Sequence, residues 1–491
     1  MKTPAKILLA GVCLATLLGG VVTAQTLALK PALSSDPNLK VAPSVAYDKA
    51  AAAQHLSQAI QIQTVSHQDR TEDDLSQWDK LHAWLQATYP EAHKVMTREV
   101  VADHGLIYTW RGSDPSLDPI ILMAHQDVVP VTPGTEAEWK HPPFAGEIAE
   151  GAVWGRGSID DKGSLVTTFE AIEALAKSGF KPKRTVIVVS GHDEEVRGEG
   201  AKAASEALKT RGVKASLVLD EGLVVVADNP ITGGPAALIG IAEKGYGTLQ
   251  VTAKAAGGHS SAPPLDGGGV VTLSRAVVAI ADHPFPLALS GPGGDMLKAL
   301  APLGKLPIRM AVANTWLFKS VILKQMSATP AGAAMLHTTI APTMLKGSPK
   351  ENVLPQDASA QINYRIAPGD TSQVVMDRAK AAVGDLPVQL SWPTAPREPS
   401  SVSSTTSDAW KTLAAVAGDV SKAPVAPGLV TAGTDSRAMQ PIATDIYRFQ
   451  PLILSLKDTA MIHGTNEHLT LENLDRCVDF YARLIATAGS K

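Results

Sequence analysis

The chain predicts an α/β protein on a mostly parallel sheet, with a smaller α+β layer inserted. Three observations carry this. Through the first half, short apolar runs alternate with amphipathic helical stretches, the habit of strand–helix–strand units. Near residue 246 that rhythm gives way to alternating strands grouped with two helices. A Ser/Thr-rich joint, "PREPSSVSSTTSD" at 396–408, then returns the chain to the first body.

Taken in order, "MKTPAKILLAGVCLATLLGGVVTAQT" opens with Lys2 and Lys6, continues apolar from Ile7 to Val22, and offers small residues before Ala24. That is the pattern of a secretory signal peptide over residues 1–24, cleaved after Ala24. The protein is expected to be exported, periplasmic or secreted, and membrane-anchored only if the segment stays uncleaved. Residues 25–45 are polar and Pro-rich and read as a tether. "YDKAAAAQHLSQAIQIQTVS" then reads as a helix. "PIILMAH", "RTVIVVS" and "ASLVLDEG" read as buried strands, and "SLVTTFEAIEALAKSG" and "GAKAASEALKTRG" as the helices between them. Residues 46–245 and 397–491 make the two parts of the larger body. Residues 246–396 make the insert, with strands at "YGTLQVTAK", "HTTIAPTMLKG" and "ASAQINYRIAP" and helices at "VVTLSRAVVAIAD" and "TSQVVMDRAKAAV".

Composition excludes several classes. Net charge is −4 over 491 residues, with no basic run that suggests nucleic acid. The only cysteines are Cys13 and Cys477, and the first lies in the apolar leader, so a cleaved chain holds no internal disulfide. "GRGSIDDKG" is Gly-rich, but it lacks the lysine pattern of a phosphate loop and carries acids that would repel phosphate.

Acids and histidines cluster where strands end. "ILMAHQDVV" places His125 and Asp127; "GRGSIDDKGS" places Asp160 and Asp161 before a helix; "GHDEEVRGEG" places Asp193, Glu194 and Glu195; "LVLDEG" places Asp220 and Glu221. In an open parallel sheet the carboxyl ends of the strands converge on one crevice. Carboxylates gathered there repel unless a cation neutralises them. Each cluster alone has a plainer reading, since a strand-end His is commonly a surface group and paired acids often only complement a helix dipole. Their joint order points to metal. Imidazole and carboxylate without thiolate suit zinc, with cobalt and manganese as alternatives. The donors exceed what one ion needs, so two ions sharing a carboxylate are expected.

The motifs "MAHQDVVPV", "WKHPPFAGEI", "VWGRGSIDDKGS", "GHDEEVRGEGA" and "IHGTNEHL", in this order from about residue 46 onward, resemble the co-catalytic zinc peptidases of family M20, which include carnosinase and aminoacylase. "GTDSRAM", "IYRFQPL", "ENVLP" and "INYRIAPGD" are most similar to the branch of carboxypeptidase S and the N-fatty-acyl amino acid hydrolases. The resemblance implies a zinc-peptidase domain with an inserted lid or dimerisation domain, and a homodimer through that insert. It implies two zinc ions per chain, held by His125, Asp160, Glu195, Asp220 and His463, with Asp160 bridging. Glu194 would be the general base and Asp127 would orient His125. His259, Asn352 and Arg365 would contact substrate, with Gly433 and Thr434 near the pocket. The implied reaction is hydrolysis of a peptide bond beside a free carboxylate. An N-acyl-amino-acid amidohydrolase is the alternative, and a non-catalytic binding protein on the same fold a remote one.

Overall fold

The structure is a computed structural model and describes residues 3–30 and 39–490. An eight-stranded mixed sheet forms its centre. Val186–Ser190, Ile120–Met123, Leu217–Asn229 and Ile446–Leu454 lie side by side and run parallel. The hairpin Met96–Val101 and Gly105–Trp110 adds an antiparallel edge on one side. On the other side, Gly234–Glu243 pairs parallel with the edge strand Val425–Val430.

Alternation along the strands explains why both faces are covered. Ile120, Leu122, Val186 and Val188 point to one core, while Ile121, Met123, Ile187 and Val189 point to another. The period of two sends successive side chains to opposite faces. The first face packs on the helices Lys49–Gln61, Lys162–Lys177 and Leu471–Gly489; the second packs on Glu199–Thr210. A sheet buried on both faces reads as continuous apolar runs, which is why these strands are legible in the sequence.

The insert holds two different bodies. One is a four-stranded antiparallel sheet of Thr339–Lys346, Asp357–Ile366, Gly245–Lys254 and Val388–Ser391, covered by the helices Gly268–Ala281 and Ser372–Val383, with its own core. The other is a run of short helices over 292–334 that belongs to the large body. Its first helix, Pro292–Leu300, buries Met296 and Leu300 in the main core beside the edge strand Val425–Val430.

The stretch expected to be a tether divides into three. Residues 25–28 finish the helix Thr3–Ala28, while residues 31–38 lie outside the described residues. Residues 41–47 pack against the last helix, where Ala42 N–H donates to Thr487 Oγ1 and Tyr47 OH to Asp475 Oδ1. Among the described residues no helix is long and apolar enough to cross a membrane.

Candidate metal centre

His125 follows the strand Ile120–Met123, and its ring lies within the protein, almost without exposure. Its Nε2 is 2.9 Å from Asp160 Oδ1, and the other oxygen of Asp160 is 3.0 Å from His463 Nε2. One carboxylate therefore faces two imidazoles, the arrangement of a bridging ligand between two cations. Glu195 Oε2 is 3.1 Å from His463 Nε2, while its Oε1 is buried without a hydrogen-bond partner. His125, Asp160 and Glu195 offer ligand atoms within 4.8 Å of one another, as do His125, Glu194 and Glu221.

The three consecutive acids have three destinations. Asp193 accepts from the amides of Glu199 and Gly200, closing the first turn of the helix Glu199–Thr210. Glu194 and Glu195 turn into the site, and Asp127 holds their backbone. The Asp127 carboxylate accepts from Glu194 N–H at 3.0 Å, Glu195 N–H at 3.1 Å and Ser66 Oγ at 2.6 Å. It also lies 3.3 Å from His125 Nδ1. Asp127 thus positions both the imidazole and the acidic loop.

Sequence reasoning expected the ligand of the fourth cluster at Asp220. The structure turns Asp220 elsewhere: its Oδ1 accepts from Glu221 N–H and its Oδ2 from Ser436 N–H at 2.7 Å. Glu221 instead places Oε1 3.8 Å from His125 Nε2. The cause is a β-bulge. Asp220 pairs with Arg448 and Leu223 with Phe449, so Glu221 and Gly222 are extra on this strand. A bulge re-aims side chains relative to the regular alternation. Gly222 takes φ 140°, and a Cβ there would press on the Arg448 side chain. The strand does not end at Asp220 but runs on to Asn229, which alternation alone does not reveal.

Two connections missed by sequence reasoning fix the remaining loops. Glu467, fully buried, accepts through Oε1 from the amides of Gly157, Ile159 and Asp160. Its Oε2 receives Arg156 Nη1 at 2.6 Å, and Arg156 Nη2 donates to the carbonyls of His463 and Gly464. His463 sits at φ 59°, a sparsely populated region for a residue with a Cβ, and the Arg156 contact holds it there. Both partners lie in motifs already noted, "VWGRGSIDD" and "IHGTNEHL"; their opposite charges are the signal that would have found them. The second connection is Asp435, buried with Oδ2 unpartnered beside Gly191. A Cβ at Gly191 would collide with that carboxylate.

The electrostatics show what is missing from the protein's own charges. Burial pushes the carboxyls of Glu194 and Glu221 well above the usual carboxylate range, and neighbouring carboxylates add to it. Asp160 moves the other way, because its two histidines outweigh the effect of burial. His463 is raised to about 10 by Asp160 and Glu195. An orphaned carboxylate oxygen, a shared carboxylate and two imidazoles form a hard-to-borderline donor set that fits divalent zinc or a similar ion.

The site opens into a cleft of about 720 Å³ lined by Glu194, Glu195, His463, Gly433, Thr434 and Arg365. Arg365 and Arg397, also in the cleft, stack on Tyr246 with guanidinium carbons 4.8 and 5.5 Å from the ring centre. His259 and Asn352 do not line it. His259 lies exposed on a two-stranded ribbon, Gly258–His259 with Val353–Leu354, and its Nδ1 meets Ser261 Oγ. Asn352 accepts from Ser260 N–H on the same ribbon.

A mixed α/β domain with an inserted layer, whose loops bring two histidines and several acids together around one carboxylate, is the class of a metal-dependent hydrolase. The match is to peptidase family M20/M25/M40 over residues 121–487, and the chain belongs to that family. It is 35% identical over 441 residues to the "Probable carboxypeptidase S-like 2" of Dictyostelium discoideum, covering 88% of this chain and 84% of that protein. It is likewise 35% identical over 446 residues to the "N-fatty-acyl-amino acid synthase/hydrolase PM20D1" of Xenopus tropicalis, covering 89% and 85%. Among solved structures, an M20 family metallo-carboxypeptidase from Sulfolobus solfataricus superposes with TM-score 0.62 at 16% identity, covering 89% of this chain and 98% of that one. The branch suggested by the motifs is therefore the one in which the relatives fall, and the chain is a metallopeptidase-family enzyme.

Proposed function

We propose that this chain is an exported di-zinc hydrolase that cleaves the amide bond of small peptides beside a free C-terminal carboxylate. The observation that carries the reading is Asp160, whose two oxygens each face the Nε2 of a different histidine. His125 with Glu221 makes one half of the ligand set and His463 with Glu195 the other, with Asp160 common to both. Cations held there would polarise the scissile carbonyl and acidify the attacking water. Glu194 is the general base. Its carboxylate belongs to the ligand cluster, and no other group claims it by a hydrogen bond among the described residues. It takes the proton from water and delivers it to the leaving nitrogen, as general base and then general acid. Arg365, held on Tyr246, meets the substrate carboxylate with a planar fork suited to two hydrogen bonds. Export rests on the leader of residues 1–24.

A second reading keeps the same chemistry and replaces the peptide by an N-acyl amino acid. It is favoured by the named activity of the Xenopus relative and by a cleft roomy enough for an acyl group. A homodimer through the insert rests on the strand Thr339–Lys346, which lies at the edge of its sheet and exposes Met344 and Leu345.

The test is hydrolysis of a panel of dipeptides and N-acyl amino acids, run alongside metal analysis. Glu194→Gln is expected to retain two ions per chain while kcat falls by about 10²–10⁴. Turnover equal to wild type, or loss of metal with loss of turnover, would remove Glu194 from the base role. The best substrate separates the two readings.

A further inference from the structure

Two helices of the insert break the rule that apolar residues are covered. Leu306–Ala313, sequence LPIRMAVA, buries none of its residues. Thr315–Met326, sequence TWLFKSVILKQM, buries only Ile322. Leu306 is 65% exposed, Trp316 59% and Val321 61%, with Leu303 and Leu317 beside them in sequence. Several large apolar side chains left exposed on two successive helices of a folded chain mark a contact surface.

The charge of the same segment says what it contacts. Between Asp295 and Glu351 the chain has no acidic residue, while Lys305, Arg309, Lys319 and Lys324 fall on or directly before these two helices. None of the four forms an ion pair among the described residues. Two copies of this face brought together would set basic groups against basic groups with no acid to meet them, because a two-fold contact pairs the patch with itself. An anionic phospholipid surface satisfies both features: headgroups meet the lysines, and apolar side chains enter the boundary below them. Trp316 is the residue type favoured at that boundary. Before cleavage after Ala24 the leader packs beside these helices. Asn314 Nδ2 donates to Val22 O and Thr26 Oγ1, and Trp316 Nε1 donates to Gln25 Oε1.

We propose that the helix pair Leu306–Ala313 and Thr315–Met326 docks the enzyme in the plane of an anionic phospholipid bilayer. This surface is separate from the metal centre and stands whatever the substrate proves to be. The mature chain, from Gln25 onward, is tested by flotation with vesicles of phosphatidylglycerol and phosphatidylcholine, and with phosphatidylcholine alone. Wild type is expected to float with the mixed vesicles and poorly with the neutral ones. Lys305→Gln with Lys319→Gln and Lys324→Gln is expected to weaken partition by about fivefold per charge. Leu306→Ser with Trp316→Ser and Val321→Ser is expected to abolish flotation, while hydrolysis of a water-soluble dipeptide stays at the wild-type rate. Flotation of the apolar variant equal to wild type would overturn the proposal. So would failure of wild type to bind anionic vesicles. A self-association in sedimentation velocity that the same substitutions abolish, with no vesicle binding, would make the face a protein interface instead.

Discussion

Glu467→Gln is the substitution that most sharply tests how the metal centre is held. Glutamine keeps one oxygen for the amides of Gly157, Ile159 and Asp160, but sets an NH2 against Arg156 Nη1, which now sits 2.6 Å from a carboxylate oxygen. Arg156 is only 2% exposed and keeps its charge, so the variant leaves a buried cation without its counter-ion. Breaking a buried pair from one side costs about 3–5 kcal/mol. At ~2 °C per kcal/mol for large domains, the melting temperature should fall by about 6–10 °C. The same pair sets the Asp160 amide and the His463 carbonyl, so metal affinity should fall as well, by about 10–100-fold, the usual scale for groups that orient ligands. The assay pairs thermal unfolding with competitive zinc titration. Arg156→Met with Glu467→Gln removes the stranded charge and should recover part of the stability. It should not recover the affinity, because the bonds to His463 O and Gly464 O are gone. A Glu467→Gln protein that melts within 1 °C of wild type (roughly the smallest shift expected for 0.5 kcal/mol) and binds zinc unchanged would refute this account.

Two further outcomes follow from the structure. Glu221→Ala should lower zinc content toward one ion per chain at limiting metal, whereas Asp220→Asn, whose oxygens serve backbone amides, should mainly lower stability; the reverse pattern in metal analysis would return the ligand to Asp220. Burial lowers His82 to about 4 against an ordinary value near 6.5. The unfolded chain then takes a proton at a higher pH than the folded one, so stability should decline as pH falls from about 6.5 to 4. His82→Gln should flatten that part of the stability profile measured by chemical denaturation.

The parts legible in the sequence are those whose physics is local or periodic. Apolar runs marked the parallel strands because both sheet faces are covered, and strand ends marked His125, Glu194 and Glu195 because open sheets present their carboxyl ends to one crevice; Asp160 reaches the same crevice from the turn before helix Lys162–Lys177, after a strand of a separate small sheet. Glu221 was hidden by a bulge, which shifts the alternation by a residue pair without any change in composition. The pairing of Arg156 with Glu467 was hidden by 311 residues of separation, although each sits in a recognisable motif. The helices Leu306–Ala313 and Thr315–Met326 are hard to read from the sequence because exposed Leu306, Trp316 and Val321 stand among their basic residues and blur the helical period. His259 and Asn352 rested on motif likeness alone, and the structure keeps both on a ribbon outside the cleft.

The run Asp193–Glu194–Glu195 has a consequence for how such chains drift. Its carboxylates are chemically near-identical, yet the backbone gives each a separate place by position alone: Asp193 on the amides that open the helix Glu199–Thr210, Glu194 in the cluster with His125 and Glu221, and Glu195 against His463. A deletion of one residue just before the run would leave three acids in the alignment and every composition score intact. Glu194 would then fall on the helix amides, and the place beside His463 would pass to Val196. Meaning in this loop lies in its phase, like a reading frame: a relative that keeps the acids but shifts them by one residue sets different side chains beside the two amides that Asp127 receives.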